Sequence, residues 1–247
     1  MAKTKIEWAD MVWNPTVGCT KISQGCKNCY AERIYLRFNP DKKFSNVQCY
    51  PERLDQPFHW KKPCRIFVDS MSDLFHEKVP DEFIKQVFTV MISADWHKFL
   101  ILTKRPRRMQ KIIERYPIYK SENIWLGVSV EDQKTANERI PWLLKTPAAV
   151  YGVSVEPMLE KIDLKMMVYF CGGSSGLKDS HPDWVICGCE SGPTARPMDL
   201  DWARSLRDQC QAANVPFFLK QAVINGKLIK MPELDGKQWM EYPNEHD

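Results

Sequence analysis

Short apolar runs without polar alternation recur along the chain, and patterns of helical period lie between them. Six such runs read as buried strands: Arg65 to Asp69, Lys98 to Thr103, Asn123 to Ser129, Ala148 to Ser154, Asp183 to Cys189 and Val215 to Lys220. Their uninterrupted apolar character is that of parallel strands covered on both faces. Their starts lie roughly 25 to 35 residues apart, the length of a strand–helix repeat.

Helices are expected in the intervals. Pro80-Asp-Glu opens one with an acidic first turn, and Phe83, Ile84, Val87, Phe88 and Met91 form its apolar stripe. Arg105 to Tyr116 is a second, and Asp201 to Asn214 a third, with Trp202, Leu206, Cys210 and Ala213 inward. From Asp132 to Thr146 the pattern is helical but broken at Pro141. Alternating strands and helices predict an α/β fold with a parallel sheet. A (β/α) barrel or partial TIM-like barrel is favoured over a doubly wound sheet, because no Gly-rich phosphate loop follows any strand. A faint repeat supports a strand-end site: Gly127-Val-Ser-Val-Glu131 recurs as Gly152-Val-Ser-Val-Glu156, and Cys189-Glu190 places a third acid after a strand. Glu131, Glu156 and Glu190 are then expected on one face, where parallel α/β folds gather their ligands, unless they merely cap helix starts.

Composition adds bounds. The 247 residues suit one domain over 1–247, with an irregular insertion at about 38–63. No apolar run is long enough to span a bilayer and the N-terminus lacks a signal-peptide core, so a cytoplasmic location and no membrane partner are expected. In a reducing compartment, nine cysteines are buried hydrophobes or ligands rather than a disulfide framework. The net charge of +4 does not by itself identify a nucleic-acid binder.

The loop at 18–30 is the most informative stretch. Cys26 and Cys29 stand at C-x2-C spacing, Cys19 precedes them, and Gly18 and Gly25 flank them amid polar neighbours. Three convergent thiolates suit zinc with a fourth ligand from elsewhere, or a [4Fe–4S] cluster with one iron left open.

With those cysteines come Trp13-Asn-Pro-Thr-x-Gly-Cys, Gly25-Cys-x-x-Cys-Tyr-Ala, Ser70-Met-Ser-Asp-Leu-Phe-His and Leu102-Thr-Lys-Arg-Pro. Farther on are Ser154-Val-Glu-Pro, Glu190-Ser-Gly-Pro-x-Ala-Arg-Pro and Phe217-Phe-x-Lys-Gln. By these segments the chain resembles the phage-type three-Cys-motif family, a radical S-adenosylmethionine (SAM)-like group. The resemblance implies a barrel of the radical SAM type, with a [4Fe–4S] cluster on Cys19, Cys26 and Cys29. It also implies SAM cleavage to a 5′-deoxyadenosyl radical. Ser70, Ser72, Asp73, Ser129, Glu131, Ser154, Glu156, Arg196 and Lys220 would then serve cofactor binding. Cys189, Glu190 and Lys104 would serve catalysis, and Arg105 would join the anion-binding cations. Two departures stand out. The first cysteine gap is six residues where the superfamily has three, and Cys189 replaces the family's usual Gly, as an extra ligand, a reactive group or packing.

The run Lys104 to Tyr116 holds six basic residues and one acid, with Arg107, Arg108, Lys111 and Arg115 on one arc. Such a stripe can track a phosphate backbone, and nine tryptophans and eight tyrosines offer stacking surfaces. A solvated helix face is the plainer reading. The functional expectation is therefore an iron–sulfur enzyme acting on a nucleic acid, nucleotide or partner protein. The alternatives are a zinc- or cluster-stabilised binding module without catalysis, and a hydrolase using the three glutamates.

Overall fold

The computed structural model describes residues 4–116, 121–164 and 181–243. In chain order it runs β1 (Met11–Trp13), β2 (Thr16–Val17), α1 (Tyr30–Phe38), β3 (Gln48–Cys49), β4 (Arg65–Val68), α2 (Asp81–Ser93), β5 (Lys98–Thr103) and α3 (Pro106–Arg115). It continues β6 (Ile124–Val130), α4 (Gln133–Lys145), β7 (Val150–Val155), β8 (Trp184–Gly188), α5 (Leu200–Ala212), β9 (Phe217–Ile224) and β10 (Lys227–Lys230), and ends in the hairpin β11 (Glu233–Leu234) and β12 (Lys237–Gln238).

Eight strands form one sheet in the order β1-β4-β5-β6-β7-β8-β9-β10. Every neighbouring pair from β1 to β9 is parallel, and β10 closes the series antiparallel to β9. This is the α/β partial barrel expected of the radical SAM type. The strands alternate between two cores. Ile66, Val68, Phe99, Ile101, Val128 and Val153 pack outward under the helices. Phe67, Leu100, Trp125, Trp184, Ile186 and Phe218 fill the barrel interior, where Trp8 joins them. Trp184 makes edge contacts with Trp8, Trp125 and Phe218, at centroid distances of 6.1, 6.0 and 6.3 Å. Burial on both faces explains why the runs show no polar alternation.

β1 and β10 are the free edges. The segment entering β1 reaches across the seam between them: Glu7 is ion-paired with Lys230, and the Lys230 ammonium donates to the Lys5 carbonyl at 2.8 Å. β10 is not among the six apolar runs, although its signal is present. Asn225-Gly226 joins β9 to β10 with φ of 51° and 73°, the paired left-handed residues of a tight hairpin.

One expectation is corrected. α4 is continuous through Pro141 rather than broken there. Its capping box at Asp132 and Thr135, and buried Ile140, Leu143 and Leu144 on either side of the proline, hold the helix across one missing donor. The stretch after α1 is also ordered by pairing. β3 lies antiparallel to β2, with Thr16 opposite Cys49, and the indole of Trp13 donates to the Arg53 carbonyl at 2.8 Å. The insertion thereby braces the entrance to the cysteine loop.

The internal repeat proves to be in register: Gly127, Val128, Ser129 and Val130 on β6 pair with Gly152, Val153, Ser154 and Val155 on β7. A Cβ at Gly127 would lie 2.7 Å from the Gly152 carbonyl oxygen and from Leu102 Cδ2, whereas one at Gly152 would meet nothing closer than 3.7 Å. Gly127→Ala is therefore expected to lower stability by about 1–3 kcal/mol and Gly152→Ala by well under that, read as shifts in the urea midpoint at constant slope.

Candidate metal centre and cavity

The carboxyl ends of the parallel strands open into a cavity of about 360 Å³. Trp8 and Phe67 of the interior aromatic core line part of it. Cys19, Cys26 and Cys29 all line it as well.

Each turn of the cysteine loop is held by a different strand end. Gly18 has φ of 102°, its N–H donates to the Met71 carbonyl at 3.0 Å, and Ser72 Oγ donates to its carbonyl at 2.7 Å. The next N–H, of Cys19, donates to the Phe44 carbonyl at 3.0 Å. A Cβ at Gly18 would collide with the Asn46 and Phe44 carbonyls, so only glycine fits. Gln24 donates to Asp132 Oδ2 at 2.5 Å, tying the loop to the start of α4. Asn28 donates to Glu190 Oε2 at 2.8 Å, and Arg196 donates to the Gln24 carbonyl at 2.9 Å. Cys29 is the N-cap of α1, so the positive end of that helix faces its side of the loop.

The tightest knot surrounds Asp73. Its Oδ1 accepts from the Phe75 N–H at 3.0 Å and Thr103 Oγ1 at 2.7 Å, and its Oδ2 from the Lys104 N–H at 3.1 Å and Arg105 Nη1 at 3.0 Å. Arg105 also reaches Cys19 Sγ at 3.6 Å, the Thr20 carbonyl at 3.2 Å and Thr20 Oγ1 at 3.0 Å. Buried His76 accepts from the Lys78 N–H through Nδ1, leaving Nε2–H to donate to Thr20 Oγ1 at 2.8 Å. Burial, with the Arg105 charge nearby, pushes its pKa down and keeps it neutral. Burial raises the Cys19 thiol to about 11, the Asp73 charge adding to it and Arg105 opposing.

Of the residues expected from the sequence, Ser70, Ser72, Asp73, Lys104, Arg105, Ser129, Ser154, Glu156, Cys189, Glu190 and Lys220 line the cavity with the three cysteines. Glu131 and Arg196 stand behind it. Glu131 is fully buried under Gly25, where an added Cβ would lie 2.8 Å from its carboxyl carbon, and is paired with Arg139 at 3.0 Å. The other two glutamates are paired as well, Glu156 with Lys220 at 2.7 Å and Glu190 with Arg196 at 2.5 Å. Burial pushes the Glu190 pKa up, but hydrogen bonds from Arg196 and Asn28 outweigh it and hold the carboxylate ionised. Each of the three glutamates is thus matched to its own cation. Cys189 follows a register shift at Cys187/Gly188 in β8, so its thiol meets both the outer core and the cavity wall; burial raises its pKa to about 11.

Asp69, Tyr30 and the Glu7–Trp8 segment also line the cavity, and no sequence pattern marks them as site residues. Asp69 adopts φ of 58° and accepts from the Thr16 N–H at 2.9 Å and Thr16 Oγ1 at 2.8 Å. Burial raises its pKa from 3.8 to about 7. The basic stripe on α3 is largely spent within the fold: Arg108 and Arg115 pair with Asp81 at 2.7 and 3.4 Å, and Arg107 lies 5.0 Å over Trp142.

The donor set was tested against metals. Among the described residues no three His, Cys, Asp or Glu side chains converge closely enough to hold one metal ion. A single zinc therefore does not fit the thiols as they stand. In a polynuclear cluster each thiolate binds a different iron, so the sulfurs need to surround one space rather than one point; the three cysteines share one cavity. Among the described residues no helix is long and apolar enough to cross a membrane.

Comparison with known proteins gives three findings. The family model described as "Protein of unknown function (DUF5131)" matches residues 3–243. No curated protein matches. Among solved structures, spore photoproduct lyase complexed with dinucleoside spore photoproduct is similar with a TM-score of 0.50 and 11% identity, over 84% of this chain and 62% of that one. A double mutant of that enzyme, with bound AdoMet and dinucleoside spore photoproduct, gives 0.46 and 13% over 63% and 48%. The chain thus spans between about half and three fifths of these structures, and the likeness is one of fold.

Two outcomes are expected. Arg105→Ala, leaving Asp73 and Thr20 short of a buried donor, lowers stability by about 3 kcal/mol in urea unfolding. For Asp69 the folded pKa lies above the unfolded one, so the stability it confers is complete below about pH 4 and is lost as pH rises through about 7. Asp69→Asn, which can keep both bonds to Thr16, should flatten the fall in urea midpoint between pH 5 and 8.

Proposed function

The chain belongs to the DUF5131 family, and we propose that it is an iron–sulfur enzyme of the radical SAM type, with the barrel-mouth cavity as its reaction chamber. One observation carries this reading: three cysteines from one braced loop line the same strand-end cavity. A [4Fe–4S] cluster with AdoMet, when bound, supplies one-electron cleavage of a carbon–sulfur bond and through it hydrogen abstraction from a substrate.

The chain's own residues would do the rest. Cys19, Cys26 and Cys29 hold the cluster, and Arg105 places a positive charge beside Cys19. Ser129 Oγ and the Lys104 ammonium have no hydrogen-bond or ion-pair partner among the described residues and face the cavity, so they are free to bind a hydroxyl and an anionic group. Ser154, Glu156 and Lys220 form a bonded series beside Ser129, Ser154 Oγ donating to Glu156 at 3.1 Å. That series can take up the amino and carboxylate ends of AdoMet by exchanging partners. Ser70, Ser72, Asp73, Glu131, Glu190 and Arg196 act at one remove, by fixing the loop. Cys189, a thiol lining the cavity, would serve catalysis. The interior aromatic core and the Glu7–Lys230 seam keep water out on their side. The fold shared with spore photoproduct lyase, solved with a dinucleoside, supports a nucleic acid or nucleotide substrate.

Anaerobic reconstitution with iron and sulfide should give about four irons per chain and a brown protein. Cys19→Ala, Cys26→Ala or Cys29→Ala should each abolish uptake. Under reducing conditions the reconstituted chain should release 5′-deoxyadenosine from AdoMet, while Cys189→Ala retains its iron. Stoichiometric zinc with no AdoMet cleavage would sink the proposal and leave a metal-stabilised binding module.

A further inference from the structure

α1 leaves the cysteine loop with an unusual outer face. Tyr30, Ile34 and Phe38 recur every four residues and are 38%, 42% and 74% exposed. Arg33 and Arg37 run alongside them on the adjoining arc, and the Arg37 guanidinium lies 5.9 Å from the Phe38 ring. The stripe is continuous with the cavity, because Tyr30, Arg33 and Ile34 also line it.

Charge points to the occupant. Residues 21 to 43 hold Lys21, Lys27, Arg33, Arg37, Lys42 and Lys43 against Glu32 and Asp41, an excess equal to the net +4 of the whole chain. Only Lys21 in this set has an acidic partner among the described residues, Glu32 at 2.7 Å. The comparably basic α3 differs, since Arg105, Arg108 and Arg115 are matched to Asp73, Glu77 and Asp81. A surface of unmatched cations interleaved with protruding aromatic rings suits a flexible polyanion that carries flat π-faces.

We propose that α1 is the docking surface for single-stranded nucleic acid, with phosphates along Arg33, Arg37, Lys42 and Lys43, bases stacked on Phe38 and Tyr30, and one nucleotide delivered into the cavity. This rests on the reading of the cavity as a reaction chamber and narrows its substrate. It also moves the nucleic-acid contact from α3, where the sequence suggested it, to the helix that follows the cysteines.

The test is fluorescence anisotropy of the full chain with a labelled 15-nucleotide oligothymidine, an abasic oligomer of equal length, and a duplex. The oligothymidine should bind tightest. Phe38→Ala should weaken it about 5- to 10-fold without weakening the abasic oligomer. Arg37→Ala should weaken both and lower the slope of log K against log salt by about 0.7. Lys111→Ala, on α3, should change neither. Phe38 and Arg37 are surface residues, and unchanged circular dichroism confirms that the variants fold. The proposal is overturned by absence of binding at low salt, by equal affinity for the abasic oligomer, or by sensitivity to Lys111→Ala alone. Binding of an acidic protein through the same residues, with no oligonucleotide bound, would overturn it too. Iron uptake and AdoMet cleavage are measured in parallel. Their persistence without oligonucleotide binding refutes this inference alone, and oligonucleotide binding by a chain that takes up no iron refutes the enzyme reading alone.

Discussion

Asp73 is a carboxylate almost removed from water, and it persists there because four donors from two segments converge on it. Arg105 is the donor that matters most, since the same guanidinium continues to the sulfur of Cys19 and to Thr20. One charge pair therefore sets the distance between the end of β4, the end of β5 and the first cysteine. Without it the loop would have to find its place from backbone contacts alone, and a buried ionised group would stand unmatched.

The same device recurs around the mouth. Glu131 with Arg139, Glu156 with Lys220 and Glu190 with Arg196 each put a strand-end acid against a cation, and the first and last of these sit directly against the cysteine loop. Ion pairs at such sites contribute little net stability once desolvation is counted, but they are demanding about position. A loop of glycines and small polar residues has few apolar contacts to define it, so directional bonds take over that task.

The fold was legible because its signal is repetitive: each apolar run must be buried on both faces, and β5 begins and ends at the residues the pattern marks, Lys98 and Thr103. β10 was missed although Asn225-Gly226 announces it, because Lys-Leu-Ile-Lys has no buried face to create a pattern. Pro141 misled because burial on both sides of it overrides local propensity. The cysteines were legible from spacing alone. What spacing could not reveal was the use of the charged residues. Glu131 and Glu156 occupy equivalent places in a repeated sequence, yet one lies under the loop and the other faces the cavity, since their cations come from unrelated parts of the chain. The arginines of α3 look like a binding face until Asp81, on a different helix, is seen to take two of them.

The bonds that fix the cysteine loop are long in sequence, with Gln24 and Asp132 separated by 108 residues, Asn28 and Glu190 by 162, and Gln24 and Arg196 by 172. During biosynthesis the three thiols therefore leave the ribosome well before the groups that immobilise them exist. For most of translation they sit on a pliant tether, open to a metal donor and equally to an oxidant. Only when the last third of the polypeptide arrives does the loop take its final form, so for the proposed cluster the timing of delivery, early onto the tether or late into the finished loop, would be a property of how the chain is made.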